Sequence, residues 1–577
     1  MHILVSVRNR WLLLIIALGS GIFCAMVDSI KQIGQIAISP RYALHALIYM
    51  AVFIILTLAG ERFLTWLGAE EDRAQLRSDK QVRPFPFEGG LRTYLFLVGV
   101  ILACWLPYII LTYPGVVWYD TQQQLLQWFG FKNTFTDGTF FSDQHPVLDT
   151  VIFGVFVQLG GALGSRDVGP FLYSIVQAVV TASALVSAVR YSHDIGLSRR
   201  FCTVELLFFA LFPVIPLYSI GMVKDSVFLP FFIWFTIVFI EVIRTQARSL
   251  HDSKTVAVLI FLSLAVSLTK KTGFYVVVLS CVVALFSLPK KQRARLAFSM
   301  AVPLIVMVVV LPFVIFPPLH IEKGGKQEML AIPFQQSALL VKEHAKDMSQ
   351  ADLNGIYAIL GSDVGNRYQW WAADNVKGYT WDSAKNKSLP RYFAIWLKEG
   401  IQHPGTYLQA YLAMEEGWIS MPNMFDKNPV FSLMPVYAEG NNHVFTYSSE
   451  LGFSDSAGLG RSKALEQLII WLEGSPFGMI FFSRALWSSG VAIFVVYECL
   501  RRNKRRIAWV MPYLATYAFL WVSPASVTIE GMRYVIPMVV AFPLALGGIL
   551  APDLTSVGTD SAAKNEDLTS TAKESAD

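Results

Sequence analysis

The chain has 577 residues, of which 54% are hydrophobic and only 15% are charged, whereas ordinary soluble domains carry roughly 25% charged residues. This composition indicates a polytopic membrane protein. The formal charge is only +5, and the basic residues lie between apolar runs instead of forming one stripe. We therefore do not expect nucleic acid among its partners.

Apolar runs approaching the roughly 20 residues that cross the hydrocarbon core recur along the chain. The first follows Arg8 and Arg10 and is either a signal peptide or an uncleaved span, and we favour the span. In chain order, the runs cover residues 11–28, 43–60, 93–113, 146–162, 169–190, 201–220, 226–243, 255–269, 273–288, 296–317, 476–499, 507–524 and 533–550.

Five connectors between these runs are strongly basic, and basic connectors stay cytoplasmic. If every run crossed, the connector at 61–92 would face the side opposite to the other four. If the run at 146–162, which is short and begins at a proline, does not cross the membrane, all five basic connectors lie on the cytoplasmic side. We therefore predict about 12 transmembrane helices with cytoplasmic termini, and an interfacial helix at 146–162. The other basic connectors are 190–200, 244–254, 289–295 and 501–506.

This topology divides the chain into membrane helices and one inserted domain. Residues 318–475 are less apolar and hold six of the 15 tryptophans (Trp370, Trp371, Trp381, Trp396, Trp418 and Trp471). We predict an extracytoplasmic domain there, with helices at 333–348 and 389–418 and strands at 428–447. The other parts are 1–92 with two helices and a basic loop, the transmembrane core 93–317 with outer loop 114–169, the C-terminal helices 476–550, and a disordered cytoplasmic tail 551–577.

The first outer loop contains Asp120, shortly after a span and just before an amphipathic stretch. A carboxylate there would lie near the level of the lipid head groups. The alternative is that Asp120 caps a helix, because Asp is among the best capping residues. The loop closes with Asp143-Gln-His145-Pro, in which His145 is a candidate acid, base or ligand, although a lone loop histidine often has no such role.

Two further candidate pairs start or end spans on the same outer face. Lys224 and Asp225 begin a span, where they are either a functional pair or a cap with a neutralising neighbour. Lys270 and Lys271 lie in a turn on the side that the positive-inside bias disfavours. Either an anionic phosphate compensates these two lysines or they snorkel at the span ends.

Glu530 and Arg533 stand at the outer start of the last span. The guanidinium of Arg533 suits a phosphate group. A structural ion pair between Glu530 and Arg533 would leave the same sequence pattern.

The order of these segments resembles the GT-C superfamily of membrane glycosyltransferases. The segment His-Pro-Val-Leu at 145–148 is similar to the His-Pro-Pro-Leu of protein mannosyltransferases and lipid A aminoarabinose transferases. Asp120, Lys224-Asp225, Leu-Thr-Lys-Lys-Thr-Gly at 268–273 and Arg-Tyr-x-x-Pro at 533–537 complete the pattern. Thr121 and Val147 depart from it, where many relatives have a second acidic residue and a second proline.

A closer resemblance is to an uncharacterised family of bacterial polytopic membrane proteins. That family shares Tyr-Pro-Gly…Asp…His-Pro, Phe-Pro-Val-Ile…Lys-Asp-Ser at 212–226, Ile-Pro-Phe-Gln-Gln at 332–336 and His-Pro-x-x-Tyr at 403–407. It supports the fold more than the chemistry, because no reaction is established for it.

The GT-C resemblance implies an all-α polytopic fold in the bacterial cell membrane and transfer of a sugar from a polyprenyl-phosphate donor. The acceptor would be a cell-envelope glycan, lipid or protein. Asp120 would be the catalytic carboxylate with Asp225 supporting it, and the cations at 224, 270, 271 and 533 would bind the donor phosphate. Asp143, His145 and Glu530 would support the site, and a divalent cation stays open as a cofactor. The alternatives are a lipid-linked sugar flippase, which often shows paired halves, and a non-catalytic wall-assembly protein.

Overall fold

The computed structural model describes residues 2–68, 89–420, 448–453, 459–475, 478–522 and 531–552. Most of this part is helical. The helices are α1 His2–Ile33, α2 Pro40–Gly68, α3 Leu91–Leu111, α4 Tyr119–Trp128, α5 Val147–Ala162, α6 Val168–Asp194, α7 Arg199–Leu211, α8 Val214–Ser219, α9 Lys224–Arg244, α10 Ser253–Thr269, α11 Lys271–Ser287, α12 Lys290–Ile305, α13 Ala331–His344, α14 Gln350–Leu360, α15 Val364–Arg367, α16 Asp374–Lys377, α17 Leu389–Gln402, α18 Pro404–Met414, α19 Glu416–Ile419, α20 Ser448–Leu451, α21 Leu459–Gly474, α22 Gly478–Phe482, α23 Val491–Arg502, α24 Met511–Val522 and α25 Gly531–Leu550.

The described residues contain two short strands, β1 Phe141–Ser142 and β2 Ile321–Glu322, which pair in parallel. This pairing joins the first outer loop to the segment that follows α12. Residues 428–447, for which strands were predicted, lie outside the described residues.

Seven helices of the described chain are long and apolar enough to cross a membrane. They are Arg10–Ile33, Pro40–Gly68, Leu91–Leu111, Val168–Asp194, Lys224–Arg244, Lys290–Ile315 and Met532–Leu550. The span Lys290–Ile315 consists of α12 and the π-helical segment Val306–Ile315 that continues it. Three shorter apolar helices, α5, α10 and α11, accompany them. This is the architecture of an all-α membrane protein, as the composition predicts.

Two of the predicted spans are interrupted instead of continuous. The run at 201–220 breaks between α7 and α8, where Phe212 is extended before Pro213. Proline has no N–H to donate and disfavours helical geometry in the residue before it. The run at 476–499 is divided into α22, the π-helical turn Leu486–Gly490 and α23.

Helix ends that border basic connectors contact one another at one end of the described bundle, which we call the basic end. Glu61 near the end of α2 lies 3.6 Å from Arg501 in the last turn of α23. Arg200 at the start of α7 donates to the carbonyl of Trp66 at 2.7 Å.

The opposite end, which we call the site end, holds both ends of α5. His145, just before α5, contacts Lys224 at the start of α9. Beyond α5, Ser174 in the first turns of α6 donates to the carbonyl of Ile220, four residues before Lys224. The contacts at its two ends therefore lie at the same end of the bundle, and the interfacial placement of residues 146–162 stays a prediction.

The outer segment after β2 packs around its own apolar core. Helices α13, α14, α17 and α18 contribute Phe334, Ile356, Tyr392 and Tyr407 to it. The predicted helices at 333–348 and 389–418 are present as α13 and as α17 to α19. Of the six tryptophans, Trp418 is buried whereas Trp371 and Trp471 are exposed.

Candidate functional site

Backbone contacts between two distant segments position the first outer loop. Met222 donates its N–H to the carbonyl of Val116 at 2.7 Å, and the Thr121 hydroxyl donates to the Met222 carbonyl at 2.6 Å. Because Met222 precedes α9 by two residues, these bonds hold the first turn of α4 against the start of α9. Asp120 in that turn therefore lies beside Lys224.

Asp120 lies between two cations. Its Oδ2 accepts from Lys224 Nζ at 3.0 Å and from Arg533 Nη1 at 3.1 Å. The capping alternative is wrong, because Trp118 occupies the N-cap position of α4 and Asp120 lies inside the first turn. The carboxylate thus joins the first outer loop, α9 and the last helix.

The two cations set the charge state of Asp120. Burial alone would raise the pKa of this carboxyl, but the charges of Lys224 and Arg533 outweigh burial and hold the pKa well below its usual range. Asp120 is therefore ionised at neutral pH. It is a weak base as long as both cations stay bound to it.

His145 faces the same lysine from the other side. Its Nδ1 lies 3.2 Å from Lys224 Nζ, which donates, and its ring packs edge-on against Phe135. Burial and the charge of Lys224 lower the pKa of His145 to about 3. The imidazole is therefore neutral at pH 7 and acts as an acceptor for the ammonium group.

Asp225 pairs with Lys270 and not with its chain neighbour Lys224. Lys270 Nζ lies 2.6 Å from Asp225 Oδ1, and Asp225 is fully buried. The rings of Phe228 and Tyr534 lie 5.2 and 5.8 Å from the same ammonium group. The proposed cap at the start of α9 is also wrong, because Val223 occupies the N-cap position and no side chain caps the helix.

Lys271 forms the most solvent-exposed of these ion pairs. Its Nζ lies 3.5 Å from Asp143 Oδ2 and donates to the Asp143 carbonyl as well. Burial raises the pKa of the Asp143 carboxyl, and the charge of Lys271 only partly offsets this. Both lysines thus have carboxylate partners within the chain, where a phosphate was the predicted one.

Arg533 is held by aromatic groups as well as by Asp120. Its Nη2 donates to the Tyr534 hydroxyl at 2.8 Å, and its guanidinium carbon lies 5.6 Å from the centre of the Trp118 ring. Glu530, the alternative ion-pair partner, lies outside the described residues.

Asp149 also lies at the site end, although no role was predicted for it. It is fully buried in the first turn of α5, and neither carboxylate oxygen has a hydrogen-bond partner among the described residues. The charges of Lys224 and Asp225 act on it. A carboxylate inside an apolar run was the available signal, because such residues are functional candidates at membrane depth.

Four cations and three carboxylates thus form ion pairs at the site end, which leaves one positive charge (Lys224, Lys270, Lys271 and Arg533 against Asp120, Asp143 and Asp225). This arrangement suits a ligand with a phosphate group, because a phosphate can replace a carboxylate as partner of a lysine or arginine. Within the described residues, no group of three or more His, Cys, Asp or Glu side chains is arranged to hold a metal ion.

The helical bundle and its ion-paired site define a polytopic all-α membrane protein with a polar site at one end. Residues 42–551 match a family of unknown function, DUF6020, and the chain belongs to that family. The matched range includes every site residue named above. No curated protein and no solved structure matches the chain.

Proposed function

We propose that this protein is a membrane glycosyltransferase that moves a sugar from a polyprenyl-phosphate donor to a cell-envelope acceptor. The observation that supports this proposal most is the position of Asp120 between Lys224 and Arg533, with Lys270 and Asp225 alongside. A base and several phosphate-binding cations are the groups that such a transfer needs.

The proposal includes a topology of 12 membrane crossings. Seven helices have the length and hydropathy of spans, and the shorter or interrupted ones, α7 with α8, α10, α11, α22 with α23, and α24, supply the other five. Helix α5 lies at the outer surface in this arrangement. The basic end then faces the cytoplasm, and the site end faces the outer side.

The donor binds through its phosphate. A polyprenyl-phosphate sugar carries one negative charge on its phosphodiester, and transfer leaves a monoester with one more. Lys224 and Arg533 turn from Asp120 to this phosphate, and Lys270 adds a third cation. Their charges stabilise the leaving group without a general acid.

The same exchange of partners activates the base. Once Lys224 and Arg533 bind phosphate, Asp120 loses the two charges that lower its pKa. It then accepts the proton of the acceptor hydroxyl as the acceptor oxygen bonds to the anomeric carbon. The bond from that carbon to the phosphate oxygen breaks, and its electron pair stays on the phosphate. Donor binding and base strength are thereby coupled.

A lipid-linked sugar flippase is the second candidate function, and Asp149 is the observation that favours it. Carboxyl groups buried at membrane depth are typical of the proton relays of pumps and transporters. Proteoliposomes separate the two functions, because a flippase moves an unchanged donor across the bilayer and a transferase consumes it.

Binding of polyprenyl monophosphate tests the proposed site directly. In detergent or nanodiscs, we expect the wild-type protein to bind this lipid and Arg533→Gln to bind it about tenfold to a hundredfold more weakly, because a charged hydrogen bond is worth about 1.5–3 kcal/mol. Arg391→Gln is the matched control, since Arg391 lies in the outer domain and donates to the Ala351 carbonyl. Equal affinity of the Arg533→Gln and control proteins would contradict the proposal.

A further inference from the structure

The basic end contains an open cavity of about 480 Å³ that no part of the proposed reaction uses. It lies between the turn that follows α9 and the turn that precedes α12. Three of its six lining residues are cations and none is acidic (Gln246, Arg248, Pro289, Lys290, Lys291 and Gln292).

The cations that line this cavity differ from those of the site end in their partners. Among the described residues, Arg248, Lys290 and Lys291 form no ion pair with a carboxylate. The nearby acidic side chains are already engaged: Glu241 binds the guanidinium of Arg244 at 2.8 and 2.9 Å, and Asp252 accepts from two N–H groups at the start of α10. At the site end, by contrast, all four cations have carboxylate partners.

Two other arginines fix the turns that bound the cavity. Arg293 donates to the Leu288 carbonyl at 3.0 Å, and Arg295 donates to the Leu250 carbonyl at 3.3 Å. The turn after α9 also contains Gln246 and Ala247 in the left-handed region, with φ of 53° and 60°, which is uncommon for residues other than glycine. The cavity is therefore a formed feature between two tied turns.

The start of α12 adds to the positive potential. The helix begins at Lys290 after Pro289, and no side chain caps it. Its first N–H groups and its dipole favour a negative charge at this end. The three cations and the helix start act together on the same space.

The position of the cavity indicates where its ligand comes from. Helix α9 spans about 30 Å from Lys224 to Arg244 at 1.5 Å per residue, which equals the thickness of the hydrocarbon core. The cavity thus lies at the level of the opposite membrane surface from the ion-paired site. Phe286 and Phe298, close to it in α11 and α12, are 78% and 65% exposed and would face acyl chains.

We propose that this cavity binds the phosphate head group of an anionic membrane phospholipid, with Arg248, Lys290 and Lys291 as its ligands. The lipid tails then lie along Phe286 and Phe298. The proposal requires that the bundle lies in a membrane, but it does not depend on the proposed glycosyl transfer.

Lipid selectivity of the purified full-length protein tests this proposal. Native mass spectrometry and thermal unfolding would compare phosphatidylglycerol with phosphatidylcholine in mixed micelles. The test variant is Arg248→Gln/Lys290→Gln/Lys291→Gln. The control variant, Arg92→Gln/Lys504→Gln/Arg505→Gln, has the same change in charge at exposed positions of the same end. Size-exclusion chromatography verifies that each variant is folded.

We expect wild type and control to retain phosphatidylglycerol, and the test variant to lose most of this selectivity. A direct charged hydrogen bond to the phosphate contributes about tenfold or more in affinity, so the triple change lowers it by at least on the order of a hundredfold, whereas the control residues make no such bond. Equal loss in both variants would overturn the proposal in favour of diffuse surface charge, as would no loss in the test variant. Protection by inorganic phosphate equal to that by phosphatidylglycerol would overturn the lipid assignment in favour of a soluble anion.

Discussion

The carboxylate of Asp120 lies 3.1 Å from the guanidinium of Arg533, although 413 residues separate them in the chain. The first outer loop is therefore joined directly to the start of the last helix. Because Lys224 binds the same oxygen, one carboxylate joins three segments. A ligand that draws either cation away changes the charge balance of all three.

Asp120→Asn should abolish most glycosyl transfer. A well-placed general base contributes about 10² to 10⁴-fold to the rate, and asparagine has nearly the same shape without the basicity. Asp137→Asn is the matched control, because the Asp137 carboxylate in the same loop bonds to Thr139 and lies away from the cations. Transfer from a radiolabelled donor would measure the effect. Near-normal transfer by Asp120→Asn would remove the base assignment and favour the flippase or assembly functions.

The buried pair of Asp225 and Lys270 should show strong coupling in a double-mutant cycle. Removing one partner of a buried ion pair typically costs about 3–5 kcal/mol, because the other charge stays buried without compensation. We therefore expect Asp225→Asn and Lys270→Gln to lower Tm strongly, and the double variant to recover part of the loss. Additive losses would show that the two side chains do not interact in the folded protein.

His145 should make stability depend on pH between its folded and unfolded pKa values. The folded pKa of about 3 lies below the usual value of 6.5, so the unfolded chain binds more protons in this window. Stability therefore falls as pH drops from about 6.5 toward 3. His145→Gln should flatten the dependence of Tm on pH between 6.5 and 4.5. The acidic residues titrate mainly below this range, and an unchanged slope would place His145 in water.

Asp149→Asn should preserve or increase thermal stability. The Asp149 carboxyl is fully buried without a partner, so its replacement breaks no ion pair and removes an ionisable group from an apolar site. Asp225→Asn, which does break a pair, is the comparison. A Tm loss of similar size in both variants would mean that Asp149 holds a cation in the folded protein.

The sequence predicted much of the bundle and of the site, for physical reasons. Apolar runs and basic connectors predict which helix ends lie on the same side, so the common placement of Asp120, Lys224, Lys270 and Arg533 could be expected. Which carboxylate pairs with which cation could not, because pairing depends on contacts between helices distant in sequence. Lys224, for example, pairs with Asp120 of the first outer loop, whereas its chain neighbour Asp225 pairs with Lys270.

Local patterns also gave wrong answers where tertiary contacts override them. Asp120 looked like a capping residue, yet the bonds between Thr121 and Met222 fix the start of α4 and leave the carboxylate for the cations. Asp149 is not among the site residues that the sequence predicted. Its burial could not be predicted from the sequence, because it depends on the packing of α5 on α6 at the site end.

The affinity of Asp120→Asn for polyprenyl monophosphate tests the proposed exchange of partners most directly, since in that exchange Asp120 competes with the donor phosphate for Lys224 and Arg533. With the competing carboxylate removed, affinity should rise about tenfold over wild type and over Asp137→Asn, consistent with the loss of charged hydrogen bonds of about 1.5–3 kcal/mol. Unchanged or weaker binding by Asp120→Asn would contradict the exchange of partners between Asp120 and the donor.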